Sequence, residues 1–271
     1  MSTIEHLSDR AIIRITGEDK RPFLQGLTSQ DIDRLTPEAA TFTALLTPQG
    51  KILFDFFIVE DGDAFLIDCD REAAPALAKR LTLYKLRAKV VIEIDEALVV
   101  MASIQLPSPA DGIAFSDPRL LTLGWRIISV KNEHIQSGYY DHRRIALGVP
   151  EFGKDFGSDE MFLLDVNYDA LNGVSYKKGC FVGQEVTSRM KRKGAVRKRT
   201  LIVECEDASL NKGAPVIAGD STLGEILSSA SHQALALIRL DRWGKATAAG
   251  ATLTCEDHKV HLAIPEYLKQ D

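Results

Sequence analysis

The stretch TFTALLTPQGKILFDFFIVEDGDAFLIDC, residues 41–69, decides the architecture. Its apolar residues fall into three short runs, 41–46, 51–59 and 64–69, dominated by Phe, Leu, Ile and Thr. Between the runs stand Thr47-Pro48-Gln49-Gly50 and Glu60-Asp61-Gly62-Asp63. Proline presets φ, glycine accepts positive φ, and aspartate bonds its own backbone, so both tetrads are turn chemistry. Strand-length runs punctuated in this way predict three consecutive antiparallel strands, a meander. Asp55 stands between Phe54 and Phe56, and alternation places it on the face opposite to theirs.

Working outward, residues 11–15 alternate as a strand. Gly17-Glu18-Asp19 gives a turn and an N-cap, Pro22 sits early in the next helix, and Phe23, Leu24 and Leu27 share one side of it. Downstream, residues 72–83 carry Leu77 and Leu81 at helical spacing, and 88–94 read as a β-branched strand. Strands follow at 98–104 and 120–130 around a loop holding Pro107, Pro109, Gly112 and Pro118. Residues 139–147 read as a helix stopped by Gly148 and Pro150, and 151–160 as a loop. Beyond Arg199 the texture changes to short strand-like pieces at 200–205, 214–217, 224–227, 234–240 and 251–255, the mark of a small barrel. The fold class is α+β, with a first domain over 1–195 and a C-terminal β-barrel over 196–271.

The chain has 271 residues, 45% hydrophobic and 26% charged, ordinary for a globular protein and against disorder. No apolar run approaches membrane-spanning length, and residues 1–10 hold no apolar signal core, so a cytoplasmic protein without membrane contact is expected. The four cysteines, Cys69, Cys180, Cys205 and Cys255, form no close pair, so no metal or cluster site is expected from this chain alone. The net charge is −5, yet residues 177–199 hold nine basic residues and one acid, Glu185. The stripe reads equally as a solvated basic face or as an anion site, and as an anion site on an acidic chain it suits a small polyanion or an acidic partner better than long nucleic acid.

The chemistry concentrates in KGCFVGQEVTSR, residues 178–189. Residues 174–177 before it read as strand and 184–191 as helix, so Cys180 falls in a loop bracketed by Gly179 and Gly183, ahead of a helix N-terminus. The helix dipole and the neighbouring cations favour thiolate over thiol. The plainer alternative is a small buried hydrophobe, the usual state of a free cysteine. Cys69, Cys205 and Cys255 lie within strand-like pieces and read as filler.

That dodecapeptide resembles the signature of the YgfZ family, relatives of the glycine-cleavage T-protein that assist iron–sulfur protein maturation. Residues 17–35, 42–56, 84–89, 144–150, 159–173 and 235–241 are similar to further landmarks of the family. The resemblance implies a T-protein-like folate-binding domain of two intertwined α/β subdomains followed by a small β-barrel, with tetrahydrofolate or a derivative as ligand and iron–sulfur client or assembly proteins as partners. It carries Lys178, Gly179, Cys180, Gly183, Gln184, Glu185 and Arg189 onto the family motif, with Cys180 needed for function. It places Glu160 where the T-proteins read the pterin ring, Tyr140 at a ring contact, and Tyr84 and Arg87 in a matching ligand-side segment. Asp55 falls on the aspartate that is catalytic in true T-proteins. On their residues alone, Glu160 reads equally as a loop or cap carboxylate, Tyr84 and Tyr140 as core aromatics, and Asp55 as a solvent-facing strand residue.

Three functions follow. The first is a tetrahydrofolate-binding accessory factor for assembly or repair of iron–sulfur proteins, with Cys180 as a redox or transfer thiol. The second is a folate-dependent aminomethyltransferase or other one-carbon enzyme, motivated by Asp55 and Glu160. The third, an RNA-binding module resting on the basic stripe, is disfavoured by the acidic total charge and the lack of an aromatic stacking set.

Overall fold

The meander forms as the alternation dictates. A computed structural model of the chain describes residues 4–36, 39–108, 112–130, 138–192, 194 and 196–269. The strands of the first half are β1 (Ile4–His6), β2 (Arg10–Thr16), β3 (Thr41–Leu46), β4 (Ile52–Asp61), β5 (Ala64–Asp70), β6 (Val91–Ile94), β7 (Leu98–Ser103), β8 (Ile113–Ser116) and β9 (Trp125–Val130). Two helices join them, α1 (Lys20–Leu27) and α2 (Ala74–Lys85). The meander β3-β4-β5 extends through β2 to β6, and a second sheet has the order β1-β7-β9-β8. All of these pairings are antiparallel.

Proximity groups the chain into two units, each of two segments. The first is Met1–Tyr140 with Asn172–Gln184, and the second Asp141–Leu171 with Glu185–Asp271. In the first unit β4 and β5 are buried along nearly their whole length. Each fully covered Phe, Ile or Leu there contributes about 1.5–3 kcal/mol of transfer free energy.

The second unit contains the rest of the pattern. Helix α3 (Tyr139–Ala146) leads into it, and α4 (Gln184–Arg192) precedes β10 (Lys198–Glu204). Then come β11 (Pro215–Ala218), β12 (Ser221–Ala230), β13 (Gln233–Arg239), α5 (Leu240–Ala248), β14 (Leu253–Cys255), β15 (His258–Lys259) and β16 (His261–Ala263). The seven strands form one antiparallel sheet of order β15-β14-β11-β12-β13-β10-β16. Its core contains Leu201, Val216, Leu223, Ile226, Ala236 and Ile238, together with Cys205 and Cys255. Cys69 is buried in the first unit.

Several expectations need correction. Residues 174–177 form no strand, because Ser175 donates its backbone N–H sideways to the Ser29 carbonyl (3.0 Å) and the segment runs irregularly. The proline-rich loop before β9 contains a strand, β8, and Leu121–Leu123 is a 3-10 turn rather than strand. Asp19 stands at the N-cap of α1 without capping it; its carboxylate accepts instead from the Lys89 backbone N–H (2.8 Å).

Candidate functional site

The segment Asn172–Gln184 is fastened to the first unit at successive points. Ser29 Oγ donates to the Gly173 carbonyl (2.6 Å), and Gln30 Nε2 donates to the Asn172 carbonyl (2.7 Å). The side chain of Lys178 turns inward, 8% exposed, and its ammonium donates to the carbonyls of Gln25 (2.7 Å), Thr28 (2.7 Å) and Gln30 (2.8 Å). Three donors meet three acceptors, the full capacity of an ammonium group. Burial pushes this amine down to about 8, against Asp31 and Asp33, which act to raise it. Phe181 is buried on the other side of the cysteine, and its ring centroid lies 5.5 Å from the Lys178 nitrogen.

Gly183 secures the far end. Its φ is +81°, and a Cβ there would stand 2.7 Å from the Thr47 carbonyl oxygen and 3.0 Å from Gly50 Cα, so the loop rests on the β3-β4 turn at backbone distance. Gly179 differs, since a Cβ there would meet nothing within 4 Å. Cys180 is therefore held out, exposed, between two buried anchors. Gln184 is half-buried, and Glu185 and Arg189 are exposed on α4. The neighbouring cation closest in sequence, Lys178, serves the backbone carbonyls; the expectation that it acts on the thiol is replaced by a role in fixing the loop.

Asp55 pairs with Ala44 across β4 and β3 and is 3% exposed, which removes the solvent-facing alternative. Tyr140 is also a core residue, 2% exposed. Its hydroxyl accepts from Arg119 Nη2 (2.5 Å) and Arg126 Nη1 (3.0 Å). These arginines belong to a fully buried network. Arg126 donates to Asp68 through Nε (2.8 Å) and Nη2 (2.6 Å), Arg10 Nε donates to the other Asp68 oxygen (2.7 Å), and Arg119 pairs with Asp117 (2.8 Å). The guanidinium carbons of Arg126 and Arg119 stand 4.2 Å and 4.8 Å from the Phe57 ring centroid. Burial works against the Arg126 charge, but its partners, Asp68 foremost, hold its pKa above the ordinary value. Tyr140 thus takes the core role left open above, as acceptor to two buried cations. Tyr84 is half-buried near the end of α2 and Arg87 is exposed just past it; among the described residues neither makes a side-chain hydrogen bond.

Glu160 belongs to the second unit and is exposed. Its Oε2 accepts from the Gly157 N–H (2.7 Å), so it closes a local turn. It also lines a cavity of about 430 Å³ with Asp155, Phe156, Met161, Lys212 and Leu227. On the cavity wall, Asp155 is buried and accepts from Arg144 Nη1 (2.6 Å), from the Glu151 N–H (2.7 Å) and from Ser228 Oγ. Arg144 is buried too, and although burial opposes its charge, Asp155, Glu151 and Asp141 raise its pKa. The structure thus gathers Lys178, Gly179, Cys180 and Gly183 into one loop, with Gln184 as the first residue of the helix α4 that follows. Sequence reasoning missed the carbonyl cage and the buried arginines. The one available signal was Arg126 at the start of a largely apolar strand, Trp125–Val130.

Residues 197–270 match the family model described as CAF17, C-terminal beta-barrel domain. The human protein named iron-sulfur cluster assembly factor IBA57, mitochondrial, is 31% identical over 271 residues, covering 86% of this chain and 76% of that protein. Its mouse counterpart is 30% identical, with 88% and 77% covered. The homolog from Aspergillus oryzae is 32% identical, with 78% and 59% covered. Among solved structures, the glycine cleavage system aminomethyltransferase T from Bartonella henselae superposes with a TM-score of 0.73 over 99% of this chain and 87% of that one. At 15% identity that likeness speaks to the fold, and with the barrel match it bears out the expected architecture. By identity and coverage against the human and mouse proteins, the chain belongs to the IBA57 family of iron–sulfur cluster assembly factors.

Proposed function

We propose that the chain is a tetrahydrofolate-binding accessory factor of the YgfZ type, acting in the cytoplasm in the assembly or repair of iron–sulfur proteins, with Cys180 as its redox or transfer thiol. The observation that carries the reading is the presentation of Cys180, exposed in a loop pinned by the Lys178 cage on one side and Gly183 on the other. A thiol in the core could not meet a client protein, and one on a slack loop would spend entropy at every encounter. The names of the human and mouse relatives support the iron–sulfur role, with client or assembly proteins as partners. The test is complementation of a strain lacking the gene. Cys180→Ser should leave chain abundance unchanged and cluster-enzyme activities low; full restoration would remove the thiol from the account.

The folate part rests on Glu160. A carboxylate lining a cavity accepts from adjacent N–H donors such as those on a pterin edge. Calorimetric titration of tetrahydrofolate should give binding to the wild type and none to Glu160→Ala. Of the other folate positions, Tyr84 and Arg87 stay in the proposal as ligand-side residues, whereas the burial of Tyr140 argues for its core role.

A second reading, folate-dependent aminomethyl transfer, is favoured by one observation: Asp55 is buried in a fold shared with an aminomethyltransferase. A buried carboxylate can manage a proton or stabilise an iminium. No methylene-tetrahydrofolate from a competent aminomethyl-lipoyl carrier would eliminate it.

A further inference from the structure

The outer face of the barrel sheet carries an arrangement that local rules disfavour. In β10 and β13, Lys198 lies directly opposite Arg239 in the register. Like charges facing each other across a strand pair destabilise a sheet. Arg239 has a counter-ion, Asp241, which accepts from its Nε (3.2 Å) and Nη2 (2.9 Å). Lys198 has no ion-pair partner among the described residues. A third cation joins them from the first turn of α5, where Arg242 is braced by donating Nη1 to the Thr222 carbonyl (2.6 Å).

These three cations line one open groove of about 280 Å³. That lies near the lower edge of the ligand-pocket range of about 300–1,000 Å³. Its wall includes Pro215, the buried Leu237 and, between them in the register, Glu225, the one carboxylate among its lining residues. Alternation explains the composition. Ala236 and Ile238 point to the barrel core, which leaves Leu237 and Arg239 on the opposite face, with Glu225 opposite Leu237. Arg239 and Arg242 are each oriented by an existing bond and keep further N–H groups to donate, since a guanidinium has five. Three cations face two carboxylates, Asp241 on Arg239 and Glu225 on the groove wall, so one positive charge beside two braced guanidiniums is left for an anion from outside the chain.

We propose that this groove binds a phosphorylated small molecule, its phosphate between Lys198, Arg239 and Arg242 and the rest of the molecule beside Pro215. The site lies wholly within the second unit and shares no residue with the Cys180 loop.

The test is calorimetric titration of inorganic pyrophosphate into the full chain at fixed ionic strength, with citrate as the carboxylate comparison. Pyrophosphate should bind saturably, and Lys198→Ala and Arg242→Ala should each weaken it by about tenfold or more. Lys198→Ala should also leave the melting temperature of the ligand-free chain unchanged or raised, because it relieves a like-charge pair; a structural lysine would lower it. Cys180→Ser should bind pyrophosphate as the wild type does. The proposal is overturned by absence of saturable heat, by binding that both variants retain, or by citrate binding as tightly as pyrophosphate.

Discussion

Replacing Gly183 by alanine tests whether the cysteine loop is built on its contact with the β3-β4 turn. Two costs add. A non-glycine residue at φ +81° sits in the left-handed region, at about 1–2 kcal/mol. The new Cβ also falls 2.7 Å from the Thr47 carbonyl oxygen and 3.0 Å from Gly50 Cα; these are backbone atoms of a hairpin and yield little, so overpacking adds about 1–3 kcal/mol. The total is about 2–5 kcal/mol. The two tryptophans fall in different units, Trp125 in the first and Trp243 in the second, so Trp243→Phe leaves a reporter of the first unit alone. With a urea m-value of about 2–3 kcal/mol/M, the Trp125 midpoint should fall by about 0.7–2.5 M. Gly179→Ala is the control: nothing lies within 4 Å of its Cβ, and stability should stay within about 0.5 kcal/mol. A midpoint for Gly183→Ala within about 0.3 M of wild type, or an equal fall for Gly179→Ala, refutes the reasoning. If Gly179→Ala is as stable as wild type yet fails to complement, its open space is needed by whatever approaches Cys180.

Further outcomes follow from the same geometry. A thiol reagent at neutral pH should modify Cys180 quickly and the other cysteines only on unfolding, because all three are buried and burial pushes the thiols of Cys69 up to about 12 and Cys255 up to about 11; mapping the labelled peptides checks this. Tyr140→Phe removes the acceptor shared by Arg119 and Arg126 and should cost about 1–3 kcal/mol in urea melts; lost folate binding with unchanged stability would return Tyr140 to the ligand. The amine of Lys178, lowered to about 8 from 10.5, gives a pH signature. Between those values the unfolded chain holds a proton that the folded chain has released, so the wild-type stability relative to Lys178→Met should rise with pH. A difference that shrinks over that window would mean that the three carbonyls outweigh burial.

The legible parts of the fold were those set by neighbours in sequence. The 41–69 meander followed from strand-length apolar runs and two turn tetrads, and α4 was read as a helix directly after the glycine-bracketed loop. Helix α5, LDRWGKATA, escaped because Gly244 interrupts it directly after a strand, and β8 escaped because prolines on both sides made the segment read as loop. In the site, Cys180 and its glycines could be picked out from local chemistry. The partners of Lys178 could not, since they are backbone carbonyls about 150 positions away and carry no side-chain signature. Arg119, Arg126 and Arg10 were invisible for a related reason. Hydropathy assigns guanidinium groups to water, and only the paired burial of Asp68, Asp117 and Tyr140 reverses that.

The discontinuity of the first unit also has a meaning in time. A ribosome delivers the carbonyls of Gln25, Thr28 and Gln30 long before it delivers Lys178, with a separation of 148 to 153 residues. At a synthesis rate of about 5–20 residues per second, those carbonyls wait about 8–30 seconds for their ammonium. Strand β2 likewise cannot take its place between β5 and β6 until both have emerged. The segment Asn172–Gln184 is the last piece of that unit to be made. A nascent chain therefore shows its exposed thiol to the cell only after the sheet that anchors it has been synthesised, and a chain truncated before residue 172 lacks the thiol altogether.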